Sequence, residues 1–306
     1  MKEKMLELLS KNRKDFSTND QNKLLQTEEK EIASAIKETG LQATKFIDRT
    51  KLENYLKTSY IGNEILIFKE VNSTNTVAEF LAEYGTDEGT VVISKRQTKG
   101  KGRLGRKWES PNGGTWLSII LKPNISPLKA PLLTLATGVA VAKTLKNFGV
   151  DARIKWPNDI LINGKKVSGI LTEASARFNA MEYVIIGVGI DSNFNADVLP
   201  EELQKISTTL KDELKTNITG TKLIPKFLNE FEKIYDLFKE ERFEDILNDW
   251  RKMSVTIGSY VEINQSHGKS LKGYAVGINV EGALILEDYE GNLRKVLSGD
   301  CILKKQ

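Results

Sequence analysis

Residues 99–114, KGKGRLGRKWESPNGG, hold the densest group of chemically useful side chains in the chain. Lys99, Lys101, Arg103, Arg106 and Lys107 are interleaved with Gly100, Gly102 and Gly105, and Trp108 follows directly. Glycines let backbone N–H groups approach a ligand, and successive N–H groups form a nest for an anion. The loop therefore suits a phosphate or carboxylate; a solvated basic surface loop is the plainer reading. Its like charges repel, so the empty loop is expected to be open and to close over an anion, with Trp108 available to stack on a ring. A second group is KWPNDILINGKK (155–166), where Lys155 ends an apolar strand just before Trp156 and Pro157. A buried strand excludes lysine unless its ammonium meets a partner; an edge lysine in a salt bridge fits the same pattern. The third group, STN at 73–75, also reads as a plain helix N-cap.

Several chemistries are excluded. Gly100-x-Gly102-x-x-Gly105 satisfies the dinucleotide fingerprint, but ESPNGG follows where a helix must begin, and no acid lies between Glu109 and Asp151. A kinase-type loop lacks its HRD partner, and HGKS (267–270) has Ile263 where a P-loop needs its first glycine. With one histidine, His267, and one cysteine, Cys301, a Cys/His metal cluster and an internal disulfide are both ruled out. The single cysteine suits a reducing cytosol.

The elements that must carry these groups follow from periodicity. Residues 1–57 read as helical, with nearly balanced charge. From residue 62, EILIFKEV is a strand, NSTNTVAEFLAEYG a helix and GTVVISKRQ a strand; TWLSIILKP follows the glycine loop as another strand. APLLTLATGVAVAKTLKNFG is apolar almost all round, hence a buried helix. ARIKWPNDILINGKKVSGILTEAS contains a hairpin tipped by Asn163-Gly164, and MEYVIIGVGI is expected to close the sheet. Two helices, near 221–239 and 242–252, precede four or five short strands that suggest a small antiparallel barrel. The layout is a helical cap, a mixed α/β core and a β-barrel tail.

The net charge of +4 is no greater than the charge of the loop alone, so the basic character is local. The apolar run at 130–142 is shorter than the ~18–20 residues that span a bilayer, and MKEKMLELLSKNRKD is too charged for a signal peptide. A cytoplasmic protein with no membrane contact is expected.

Together STN, RQTKGKGRLGRKWESPNGG (96–114), KWPNDILINGKKVSGIL (155–171), VIIGVGI (184–190) and LSGD (297–300) resemble the biotin–protein ligase family, in the family's order, over roughly residues 60–306. The resemblance implies an α+β fold: a mixed-sheet, class II synthetase-like catalytic core at 58–252 and an SH3-like β-barrel at 253–306. A short helical N-terminal region at 1–57 would be a vestigial or degenerate regulatory domain. It implies ATP-dependent activation of biotin to biotinyl-5′-AMP with release of pyrophosphate, then transfer to a lysine of a biotin carboxyl carrier protein domain. Ser73, Thr74, Asn75, Gln97, Lys101, Gly102, Arg103 and Lys155 fall at biotin-binding positions. Arg103, Arg106, Trp108, Lys155 and Asn158 fall at ATP-binding positions, and Lys155 and Arg103 are the catalytic pair. Mg2+ would accompany ATP, with no protein metal site assigned. Lys101 stands where the family usually has Arg, and Asp191 where it usually has Asn. A ligase that also represses biotin genes, and a lipoate ligase relative, are the alternatives. A homodimer through sheet edges is compatible with the pattern, whereas the balanced charge of 1–57 argues against DNA.

Overall fold

A computed structural model describes residues 55–178, 180–265 and 270–304, with the backbone of 43–46. Most of 1–57, including its expected helices, lies outside the described residues, as does His267. The stretch Ala43–Phe46 departs from the helical expectation: it is strand β1, paired antiparallel with β2 (Ile65–Phe68). Ladder bonds to an otherwise open sheet edge account for the extended form there.

β1 and β2 begin an eight-stranded sheet that continues with β3 (Val91–Ser94), β4 (Thr115–Leu121), β5 (Arg153–Lys155), β6 (Asp159–Ile162), β7 (Lys165–Arg177) and β8 (Ala180–Ile190). Their order is β1-β2-β3-β4-β8-β7-β6-β5. Only β2 and β3 run parallel, joined by helix α1 (Thr74–Glu83). β8 does not close the sheet: it pairs with β4 on one side and β7 on the other. Its continuous apolar run reflects burial on both faces. The edge strand opposite β1 is β5, which ends at Lys155.

Helix α1 lies on one face, packing Val77, Ala78 and Leu81 against Leu66, Val92 and Ile120. After α2 (Ala130–Lys146) and β8 come two short helices the pattern did not reveal, α3 (Glu201–Gln204) and α4 (Leu210–Leu214), then α5 (Gly220–Lys239) and α6 (Phe243–Met253). α2, α5 and α6 cover the other face, burying Leu133, Val139, Phe227 and Trp250. Residues 127–146 are long and apolar enough to cross a membrane, more so than the shorter run read from the sequence. Most of that segment is buried inside the protein, which explains why it is apolar all round.

The tail forms β9 (Tyr260–Asn264), β10 (Leu271–Ile278), β11 (Leu284–Glu287), β12 (Leu293–Val296) and β13 (Asp300–Leu303), in the antiparallel order β12-β11-β10-β9-β13. RKVLSGDCIL is thus two strands at opposite ends of this order, linked through Gly299, whose φ of +148° few other residues adopt. Val261, Ile263, Leu284 and Leu286 share one hydrophobic cluster with Leu132 and Leu135 of α2. The Trp156 indole donates to Gly282 O at 3.2 Å. Through these contacts the tail holds β13 against the core beside Lys155.

Candidate active site

A cavity of about 600 Å3 opens between the core and the tail, and every residue assigned to a site from the sequence lines it. Ser73, Thr74 and Asn75 reach it from the buried N-terminus of α1. Ser73 holds the N-cap position, yet its hydroxyl makes no capping bond. The Thr74 N–H donates instead to Gln97 Oε1 at 2.7 Å, and Gln97 Nε2 donates to Ser110 Oγ at 2.8 Å. Gln97 therefore fixes the helix start, leaving the Ser73 hydroxyl to the cavity.

Asn75 is held from both ends. Ser118 Oγ donates to its Oδ1 at 2.6 Å and lies 2.8 Å from Thr74 Oγ1, while Asn75 Nδ2 donates to Glu173 Oε2 at 2.7 Å. Room for this amide comes from Gly187 on β8, where a Cβ would sit 2.1 Å from Asn75 Oδ1. The cluster alternates donors and acceptors on largely buried side chains, as a neutral polar ring needs for recognition.

The glycine loop is closed, contrary to the expectation of an open one. Gly102 N–H donates to Arg106 O at 2.7 Å, Trp108 N–H donates to Gly100 O at 2.9 Å, and Lys101 bridges antiparallel to Lys107. Carboxylates from three directions relieve the repulsion. Lys101 lies 3.5 Å from Glu173 and 3.9 Å from Glu79, Lys107 lies 2.6 Å from Glu109, and Arg106 is ion-paired with Asp300 of β13. Arg103 donates to Asn158 Oδ1 at 3.0 Å and to Gly299 O at 3.3 Å, so the tail anchors the loop. Burial pulls the Arg103 guanidinium below its usual range, opposed by Asp300 and Asp159.

Trp108 lies flat against the sheet. A Cβ at Gly189 would sit 2.5 Å from its Nε1, and one at Gly169 2.9 Å from its ring. These two glycines are register partners on β8 and β7. Lys166 Nζ stands 4.8 Å from the ring centroid, a cation–π contact. Glycines inside a strand mark a close approach by another group, a signal that VIIGVGI and KVSGIL already carried.

Lys155 is both the edge lysine in a salt bridge and a cavity residue. Its Nζ is 2.8 Å from Asp159, whose other oxygen takes Lys166 at 2.6 Å. All three side chains are largely buried. Burial acts most strongly on Asp159, pushing its carboxyl up, but Lys166 and Lys155 together hold it below the ordinary range. Asp191 behaves oppositely: wholly buried on the cavity wall, its carboxyl is pushed well above the ordinary range by burial, with only Lys166 opposing. Burial also raises the Cys301 thiol to about 11, which makes it a poor nucleophile despite its place on the wall. Asp159, Lys166, Glu173, Ser118 and Asp300 were not singled out from the sequence. Asp159 and Lys166 lay within KWPNDILINGKK and Asp300 within LSGD; Glu173 and Ser118 reach the site only through strand pairing.

Among the described residues no three acidic, cysteine or histidine side chains converge as a metal cage. The arrangement combines a polar neutral-ring cluster, a buried lysine on a carboxylate and a cationic flap beside a flat tryptophan. It can hold two anions together and neutralise charge as they react.

Comparison with known proteins gives the family. Residues 67–191 match the biotin/lipoate A/B protein ligase family, and residues 256–304 match the biotin protein ligase C terminal domain. The chain is 40% identical over 250 residues to the bifunctional ligase/repressor BirA of Bacillus spizizenii, covering 81% of this chain and 76% of that one. It is 29% identical over 265 residues to the biotin–[acetyl-CoA-carboxylase] ligase of Mycobacterium tuberculosis, covering 82% and 94% respectively. Its fold is similar to that of a solved biotin protein ligase from Aquifex aeolicus in complex with biotin and ATP. That likeness has a TM-score of 0.68 and 31% identity, over 79% of this chain and 99% of that one.

Proposed function

The chain belongs to the biotin protein ligase family, and from that premise we propose that it joins biotin to a carrier protein in two steps. A biotin carboxylate oxygen attacks the α-phosphorus of ATP, the bond to the β-phosphate oxygen breaks, and pyrophosphate leaves. The Nζ of a carrier lysine then attacks the carbonyl carbon of biotinyl-5′-AMP, and AMP departs. The carrier is a biotin carboxyl carrier protein domain.

The observation that carries the proposal is Lys155, about one-fifth exposed and 2.8 Å from Asp159 on the wall shared with Gln97, Asn75 and Arg103. Asp159, itself held below the ordinary carboxylate range by Lys166 and Lys155, keeps Lys155 in place, so its ammonium can bridge the biotin carboxylate and α-phosphate without waiting for solvent to reorganise. Ser73, Thr74, Asn75 and Gln97 take the ureido ring; Lys101, Gly102 and Arg103 fold over the side chain and phosphate. Arg103, Arg106 and Asn158 line the phosphate path, and Trp108 offers a face to adenine. Mg2+ would arrive with ATP and keep phosphate oxygens and water as its main ligands, as is common for this ion. In this reading 58–252 is the catalytic unit, 253–306 the barrel that anchors the loop, and the setting the cytoplasm.

The test is direct. Purified protein given biotin and ATP is expected to release pyrophosphate, and Lys155→Ala to slow that release about 10²–10³-fold, as removal of one charge-stabilising donor does. Release unaffected by the substitution removes the assigned chemistry, and calorimetric preference for lipoate over biotin moves the protein to the lipoate branch.

A second reading, ligase and repressor in one chain, draws on the name of the Bacillus relative. It requires an operator-DNA mobility shift that depends on biotinyl-5′-AMP and disappears when residues 1–57 are deleted.

A further inference from the structure

Glu173 touches two parts of the cavity wall at once. Its Oε2 accepts from Asn75 Nδ2 at 2.7 Å, and its Oε1 lies 3.5 Å from Lys101 Nζ. Asn75 belongs to the polar-ring cluster and Lys101 to the loop; Glu173 itself faces the outer hollow bounded by the loop, outside the main cavity lining. It also stands in register with Ile185 on β8, two residues before Gly187, the position that makes room for Asn75.

The hydrogen bonds leave Asn75 one orientation. Ser118 donates to Oδ1 on one side and Glu173 accepts from Nδ2 on the other. Turning the amide over would set Oδ1 against a carboxylate, two acceptors facing each other with no proton between. Glu173 thus dictates which edge Asn75 shows to a bound ring. The same carboxylate, about one-third exposed, is the nearer of two anions that hold Lys101 down, the other being Glu79 at 3.9 Å.

We infer that Glu173 is a positioning residue that couples the biotin-ring site to closure of the glycine loop. The inference rests on the biotin reading above. Asn75 already holds the Glu173 carboxylate in place, and a fixed carboxylate is a better anchor for Lys101 than one free to rotate, because less side-chain entropy is then lost on pairing. A ring seated on Asn75 adds to that restraint, so biotin binding strengthens the hold of Glu173 on Lys101 and with it the closed form of the loop.

Two substitutions separate the branches. Glu173→Gln keeps the length and an oxygen for Asn75 Nδ2 but loses the charge that Lys101 needs. Glu173→Ala loses both. The measurements are the calorimetric Kd of biotin without nucleotide, and the rate of trypsin cleavage within 99–107 with biotin and ATP present. The expected result for Glu173→Gln is a biotin Kd within about threefold of the parent, with cleavage at least fivefold faster. Glu173→Ala is expected to weaken biotin at least tenfold as well, and Glu79→Gln to speed cleavage less than Glu173→Gln does. Equal biotin affinities in the two Glu173 variants overturn the inference, as does unchanged cleavage in Glu173→Gln. If the parent protein fails to bind biotin, the proposed function and this inference fall together; if it binds and only the split is missing, the coupling alone is wrong.

Discussion

Lys155 and Asp159 form an ion pair of 2.8 Å between the last residue of β5 and the first of β6, across the Trp156-Pro157 turn. Asp159 also holds Lys166 at 2.6 Å, so one buried carboxylate orders two lysines on the cavity wall. Asp159→Asn removes that compensation and leaves two ammonium groups close together. The expected loss is roughly 3 kcal/mol of stability, the usual scale for breaking a buried pair, with pyrophosphate release down about 10²-fold. Because the folded carboxyl lies below its unfolded value, its contribution is full above the ordinary carboxylate pKa and is lost as pH falls through the folded one. Melting temperatures of parent and variant should differ at neutral pH and converge in acid.

Asp191 has the opposite sign. Its folded carboxyl is raised, so its contribution is full below the ordinary carboxylate pKa and is lost as pH rises through the folded value. Asp191→Asn keeps the shape without the ionisation. The variant should melt no higher than the parent at or below the ordinary carboxylate pKa, and progressively higher than the parent as pH rises from there toward the folded value. A constant difference across that range contradicts the assignment.

Arg106, which the proposed reaction places on the phosphate path, is ion-paired with Asp300. Asp300→Asn leaves the guanidinium free and makes the phosphate path more positive. KM for ATP should fall a few-fold at low salt, and the gain should shrink toward 0.5 M salt, where screening is strong. Stability should change by less than about 1 kcal/mol, since the pair is substantially exposed.

Two strand glycines divide the cavity. Gly187→Ala drives a Cβ into the Asn75 amide, and Gly189→Ala drives one into the Trp108 indole. The first should raise the biotin Kd at least tenfold with a smaller effect on ATP, and the second should do the reverse. Each should also cost about 1–3 kcal/mol of stability, as overpacking does. Isothermal titration with each ligand and denaturant melts read both quantities.

What could be read from the chain alone was what lies close together along it. STN, the glycine loop and KWPND are contiguous, and each carries its residue types and spacing in a few neighbouring positions, so the lining residues were legible. So were the Asn163-Gly164 hairpin and the buried α2, because local turn chemistry and periodicity act over short distances. The loop's state was not. Its self-repulsion is visible in five nearby cations, but the compensating carboxylates stand on α1, β7 and β13, separated from Lys101 or Arg106 by many residues. The central place of β8 was hidden for the same reason, since an apolar run says that both faces are buried and not which strands flank it.

The sequence by itself determined which groups are available: the cations, the glycines, the polar side chains of STN and Gln97, and a lysine where a strand should have none. Only the tertiary structure decided how they are paired, because strand register sets Glu173 between Asn75 and Lys101, and the docked tail sets Asp300 against Arg106. Charge energies depend on separations of a few ångströms and on how much water remains between partners. Those are properties of packing, which no stretch of neighbouring residues contains.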